Sequence, residues 1–129
     1  MFGDRDIKSF NVTFIDPAAD DDIGVWVAPQ YVTIKSAYVT MPNDLAAGTA
    51  NLFDVALYNG GTAGTALTAV AGTIGGTVGW TGLTPVAFTI SNGVLTAGQL
   101  LKVRYDETGT GTIAGATLTV NYVNGQGAA

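Results

Sequence analysis

Apolar residues in this chain fall at every second position, in one short run after another. Successive side chains of an extended strand point to opposite faces, so this spacing predicts half-buried β-strands and not helices. Phe10, Val12 and Phe14 share one face, with Asn11 and Thr13 on the other. Ile23, Val25 and Val27 follow, then Val32 and Ile34 after a turn at Pro29. Phe53, Val55 and Leu57 alternate with Asp54, Ala56 and Tyr58; Val86, Phe88 and Ile90 alternate with Ala87 and Thr89. Leu101, Val103 and Tyr105 alternate with Lys102 and Arg104, and Leu118, Val120 and Tyr122 with Thr119 and Asn121. Thr and Val are abundant throughout, and β-branched side chains suit a pleated surface.

Between the runs lie Pro17-Ala18-Ala19-Asp20, Pro42-Asn43-Asp44, Asn59-Gly60-Gly61, Ser91-Asn92-Gly93 and Thr108-Gly109-Thr110-Gly111. These residues supply turns and positive φ angles. Short strands punctuated this regularly predict one all-β domain, a sandwich or barrel of about eight strands, with no helix. Its 129 residues suffice to bury a core without staples. No linker divides residues 1–129. Residues 1–7 read as an N-terminal arm with Phe2 and Ile7 as hooks, and 124–129 as a frayed end. Residues 60–84, rich in Gly, Thr and Ala, read as a long loop with one or two irregular edge strands. Leu45-Ala46-Ala47-Gly48-Thr49-Ala50 echoes Leu95-Thr96-Ala97-Gly98-Gln99-Leu100. Each copy places a glycine, tolerant of positive φ, just ahead of a strand.

The chain has neither histidine nor cysteine. That removes the usual base near neutral pH, the thiol nucleophile, the disulfide and the commonest transition-metal ligands. Ser9, Ser36 and Ser91 have no histidine to activate them and no Gly-x-Ser-x-Gly elbow. The glycine-rich stretches at 60–64 and 72–76 lack the Gly-Lys-Ser/Thr ending of a phosphate loop. Asp106 and Glu107 are adjacent, so in a strand they point apart and cannot work as an acid–base pair. No enzymatic activity and no cofactor are expected. Asp16, Asp20, Asp21 and Asp22 offer oxygens that calcium favours, yet without EF-hand spacing, and a solvated acidic turn is the simpler reading.

Ten acidic residues against five basic give a net charge of −5, which repels nucleic acid on average. No apolar run is long enough to span a membrane, and no basic start leads into an apolar stretch, so synthesis in a cytosol is expected. Only 12% of residues are charged, about half the usual share, which suits a surface packed against copies or partners. Trp26 and Trp80, with Tyr31, Tyr38 and Tyr58, are core residues, interface anchors or, less simply, a sugar-stacking platform. Trp26 alternates with Val25 and Val27 and is therefore expected to face outward. Lys102 and Arg104 form a two-residue basic stripe. It reads as a solvated, edge-protecting strand, or as a contact for the acidic loop at Asp20 to Asp22 of another copy.

Val25-Trp26-Val27-Ala28-Pro29, followed by Tyr31-Val32-Thr33-Ile34 and Ala37-Tyr38-Val39, resembles a pattern in tailed-phage structural proteins. There an apolar strand ends in Ala-Pro and a Thr-Ile strand rises from it. The Leu45 to Ala50 segment, the strand to Tyr58-Asn59-Gly60, and Leu95 to Leu101 extend the likeness over about residues 10 to 123. The chain is thus similar to the small capsid decoration (cement) proteins and head-fibre domains of bacteriophages. The resemblance implies a jelly-roll-like antiparallel β-sandwich, often trimeric, on the outer surface of the virion. There it would clamp neighbouring major capsid subunits. It implies no catalytic motif, and no interface residue is carried over from it. From the residues themselves, Phe2, Ile7, Trp26, Tyr31, Trp80, Lys102 and Arg104 are the candidate protein interface. A fibre, tail or baseplate domain and a carbohydrate-binding module are the competing readings.

Overall fold

The computed structural model describes residues 6–14, 21–42, 44, 52–60, 68–74, 80–108 and 115–125. Nine strands run through them: β1 (Lys8–Phe14), β2 (Asp21–Val27), β3 (Val32–Thr40), β4 (Leu52–Asn59), β5 (Thr68–Ile74), β6 (Val86–Ala87), β7 (Val94–Leu95), β8 (Leu100–Thr108) and β9 (Ala116–Asn124). No helix occurs among the described residues. Both sheets are antiparallel. One has the order β1-β9-β3-β6, with β7 also paired to β3; the other has the order β2-β8-β4-β5. Because β6 and β7 both pair with β3, they amount to one broken strand. The chain then crosses between sheets at β1–β2, β2–β3, β3–β4, β5–β6, β7–β8 and β8–β9. Only the β4–β5 hairpin stays within a sheet. This is the strand order of an eight-stranded jelly roll.

The inner faces supply the core. From the first sheet come Val32, Ile34, Ala37, Val39, Met41, Leu118 and Val120; from the second come Val55, Leu57, Val70, Leu101 and Val103, all buried. Two β-bulges shift the alternation. In β3 the register slips between Ile34 and Ser36, so Lys35 is the extra residue and is exposed. The buried set therefore runs Val32, Ile34, then Ala37 and Val39, a change of parity that a bulge produces. In β2 the slip lies between Gly24 and Trp26. Trp26 then pairs with Leu101, a core residue, and side chains directly across a ladder share a face. Trp26 accordingly packs against the core and Val27 is exposed, the reverse of the outward Trp26 expected from unbroken alternation.

The run at 86–90 keeps its alternation of burial but not its ladder. Only Val86–Ala87 pair with β3, while Ile90 bridges across to Ala71 of β5 in the other sheet. Ser91 and Asn92 both donate their backbone N–H to the Val70 carbonyl, at 2.9 and 3.2 Å. Hydrogen bonds thus join the two sheets along the β5–β6 side. The irregular edge strand expected within 60–84 is β5, whose register with β4 slips twice. Of the two echoing turns, the one at Gly98 has the expected positive φ, +87°. The copy at Gly48 lies outside the described residues. Within the stretch 124–129, Asn124 belongs to β9 and Gly125 donates its N–H to the Tyr31 carbonyl at 2.6 Å. Residues 126–129 lie outside the described set.

Candidate interaction surface

Along the opposite side of the sandwich, where β1 and β2 are the edge strands, no backbone bridge joins the sheets among the described residues. Three aromatic rings sit there instead. Phe10 of β1 lies 4.7 Å from Trp26 of β2, and Trp26 lies 4.9 Å from Tyr122 of β9, centroid to centroid, all tilted. Phe10 and Tyr122 are 6.0 Å apart. These are separations at which aromatic pairs attract beyond simple area burial. All three rings are only partly buried. Beside them Ile7 is 70% exposed at the start of β1, and Val27 is 56% exposed at the end of β2. Large apolar side chains this accessible are few among the described residues, Leu83 being the third.

The other sequence-derived candidates distribute unevenly. Trp80 is buried in the core at 6% exposure and is unavailable as an interface anchor. Its neighbours in the glycine-rich stretch gave no alternation from which an inward position was readable. Tyr31 is half-buried in the β2–β3 connection, and Phe2 lies outside the described residues. With Trp80 in the core and Trp26 tilted against two other rings, the two tryptophans do not form a flat platform for a sugar.

Lys102 and Arg104 do share the outer face of the second sheet, but both lie down on their own β4. The Arg104 guanidinium sits 4.6 Å over the Tyr58 ring, a cation–π contact. The Lys102 stem passes over Gly60, so closely that a Cβ there would meet its Cε at 2.8 Å. The β2–β8 register sets Asp22 across from Arg104 within the chain. Of the acidic loop, Asp16 and Asp20 lie outside the described residues. Asp54 and Asp106 are register partners across β4 and β8, a meeting that sequence alone did not indicate.

The outer face of the first sheet is different in kind. Ser9, Asn121 and Ser36 line up across β1, β9 and β3; Asn11, Thr119 and Tyr38 form the next row, and Thr13, Thr117 and Thr40 the third. Thr119 donates to Asn11 at 2.8 Å and the Asn121 amide to Ser36 at 2.9 Å. These three rows hold nine polar side chains without a formal charge, with the exposed Lys35 beside Ser36. At its far end a concavity of about 210 Å³ lies between Thr40, Met41, Pro42, Leu83 and Thr117.

No family model matches the chain, and no curated protein does. Among solved structures it is similar to the structure of infectious bursal disease virus Gx strain. The identity there is 16% and the TM-score 0.46, over 98% of this chain and 34% of that one. A second likeness, to the structure of infectious bursal disease virus Gt strain, has 11% identity and a TM-score of 0.24, over 94% of this chain and 42% of that one. The chain spans about a third of the first structure's length. The fold assignment rests on the strand order described above.

Proposed function

We propose that this chain is a structural virion protein that decorates and stabilises the outer surface of a bacteriophage capsid. It clamps neighbouring major capsid subunits, is not an enzyme and carries no cofactor. The observation that supports this reading best is the β1–β2 margin, where a partly exposed aromatic cluster joins the two sheets and the exposed aliphatic side chains Ile7 and Val27 stand at the strand ends. Partly exposed aromatics beside aliphatics are the usual anchors of protein interfaces. The jelly roll itself serves capsids, lectins and other binding domains, so it permits this role without choosing it. The resemblance of the Val25 to Val39 segment to tailed-phage proteins supports the phage particle in this reading, and with it a trimer made in the host cytoplasm.

The mechanism is mass action. A protein that binds only the assembled shell stabilises that shell by its own binding free energy. A trimer on a symmetry axis multiplies weak contacts through avidity. The arm at residues 1–7, ending in the exposed Ile7, reaches a neighbouring subunit in this arrangement. The test is cosedimentation with expanded, undecorated shells of the same virus. Saturable binding at a fixed ratio to capsid subunits, lost from a variant lacking residues 1–7, is expected. Absence of binding to any shell form overturns the reading; binding that is unchanged in the truncated variant overturns the role of the arm.

A further inference from the structure

Three asparagines of this chain precede glycine: Asn59-Gly60, Asn92-Gly93 and Asn124-Gly125. An asparagine followed by glycine is chemically labile. The next backbone nitrogen can attack the side-chain carbonyl carbon, and glycine has no Cβ to obstruct the approach and the widest choice of φ and ψ. The local chemistry is the same at all three, so the fold decides which of them reacts.

Two are held. Asn59 ends β4 and is buried, at 8% exposure, with its amide donating to Gln99 at 2.9 Å. The Gly60 N–H, whose nitrogen would attack, donates to the Leu100 carbonyl at 2.7 Å. Asn124 ends β9 and pairs with Val32. The Gly125 N–H donates to the Tyr31 carbonyl at 2.6 Å, and its carbonyl accepts from the Thr33 hydroxyl at 2.9 Å. Attack at either place requires a strand end to open first. Asn92 is exposed and stands between β6 and β7, outside both. Its own N–H donates to the Val70 carbonyl at 3.2 Å, and the Gly93 carbonyl accepts from Ile34 at 2.8 Å, but neither of these is a reacting atom.

We infer that Asn92 is the site of spontaneous deamidation in the folded chain, and that its isoaspartyl product loosens the tie between the two sheets. The Gly93 nitrogen gives up its proton and bonds to Cγ of Asn92. The Cγ–Nδ2 bond breaks, and ammonia leaves with that proton. Water then opens the cyclic imide, its hydroxyl going to a carbonyl carbon and its proton to the nitrogen. Opening at the side-chain carbonyl gives aspartate. Opening at the main-chain carbonyl gives isoaspartate, which carries an extra carbon in the backbone. That carbon enters between Asn92, bound to Val70 of one sheet, and Gly93, bound to Ile34 of the other. Gly93 has little room to shift inward, since a Cβ there would lie 2.4 Å from the Ile34 carbonyl oxygen. This inference is independent of the capsid reading.

The test incubates the full chain in mildly alkaline buffer, folded and in urea. Peptide mapping, with fragmentation that separates aspartate from isoaspartate, follows the three sites. In the folded chain Asn92 should deamidate at least about tenfold faster than Asn59 or Asn124, because an opening cost of about 1.4 kcal/mol already supplies that factor. In urea the three rates should converge. The purified isoaspartyl form should exchange its Ile34 and Ser91 amides faster than the unmodified chain. Asn92→Asp adds the charge without the extra carbon and should leave that exchange unchanged. Equal rates in the folded chain, or faster reaction at Asn59 or Asn124, overturns the assignment. Unaltered exchange in the isoaspartyl form, or the same acceleration in Asn92→Asp, overturns the loosening.

Discussion

Gln99 shows how much one side chain can hold. Its Oε1 accepts from the Thr96 backbone N–H at 2.8 Å and from the Asn59 amide at 2.9 Å. Its own carbonyl accepts from Ala28 at 2.9 Å, next to the Gly98 N–H that donates to the Ala28 carbonyl at 2.8 Å. The end of β4, the β2–β3 connection and the start of β8 are thus tied at one point, and Asn59 is the buried polar residue there. Removing the side chain takes away one hydrogen bond from Asn59 and one from the Thr96 N–H, so Gln99→Ala should cost about 1–2 kcal/mol in urea unfolding. Gly93 is constrained differently. A Cβ there would sit 2.4 Å from the Ile34 carbonyl oxygen, backbone that cannot swing aside. Gly93→Ala should destabilise by about 1–3 kcal/mol, as overpacking does. Leu83 is held at φ +58°, a left-handed conformation costly for a bulky side chain, with its N–H bound to the Met41 carbonyl at 2.7 Å. Glycine removes that strain at some entropic cost, so Leu83→Gly should raise the melting temperature by roughly 2–4 °C. Leu83→Ala keeps a Cβ and should give no rise.

Elements were readable where local pattern decides them. The runs at Phe10 to Val12, Val32 to Ile34, Leu101 to Val103 and Leu118 to Val120 became strands with the expected faces inward. The face of Trp26 was misread because a bulge intervened, and an extra residue changes parity without interrupting the apolar pattern. Lys35, a charge inside an apolar run, was a visible trace of one bulge; the slip after Gly24 left only the glycine. The 86–90 run shows the other limit. Its alternation is real, but whether a neighbour lies alongside is set by distant residues, and here Ile90 pairs with Ala71 instead. The aromatic cluster was equally hidden, since Phe10, Trp26 and Tyr122 meet only through the fold. It makes an optical prediction. Trp26 is partly exposed and Trp80 buried, so acrylamide should quench two emission components in the wild type. In Trp26→Phe the accessible component should vanish.

For the whole molecule, alternation and turn spacing sufficed for the class but not for the order of strands. Sandwich and barrel bury the same pattern, and the jelly-roll order depends on contacts between β1 and β9 at opposite ends of the chain. The aromatic cluster between β1 and β2 required three-dimensional adjacency. The proposed capsid role places this sandwich, with its rows of polar side chains on one sheet and its aromatic cluster between β1 and β2, against other proteins. The direct measurement is calorimetry of expanded shells heated alone and with saturating amounts of this chain. The account predicts that the shell transition moves to higher temperature and rises further with the concentration of free protein, as mass action requires. A shell transition that stays fixed at every concentration would contradict it.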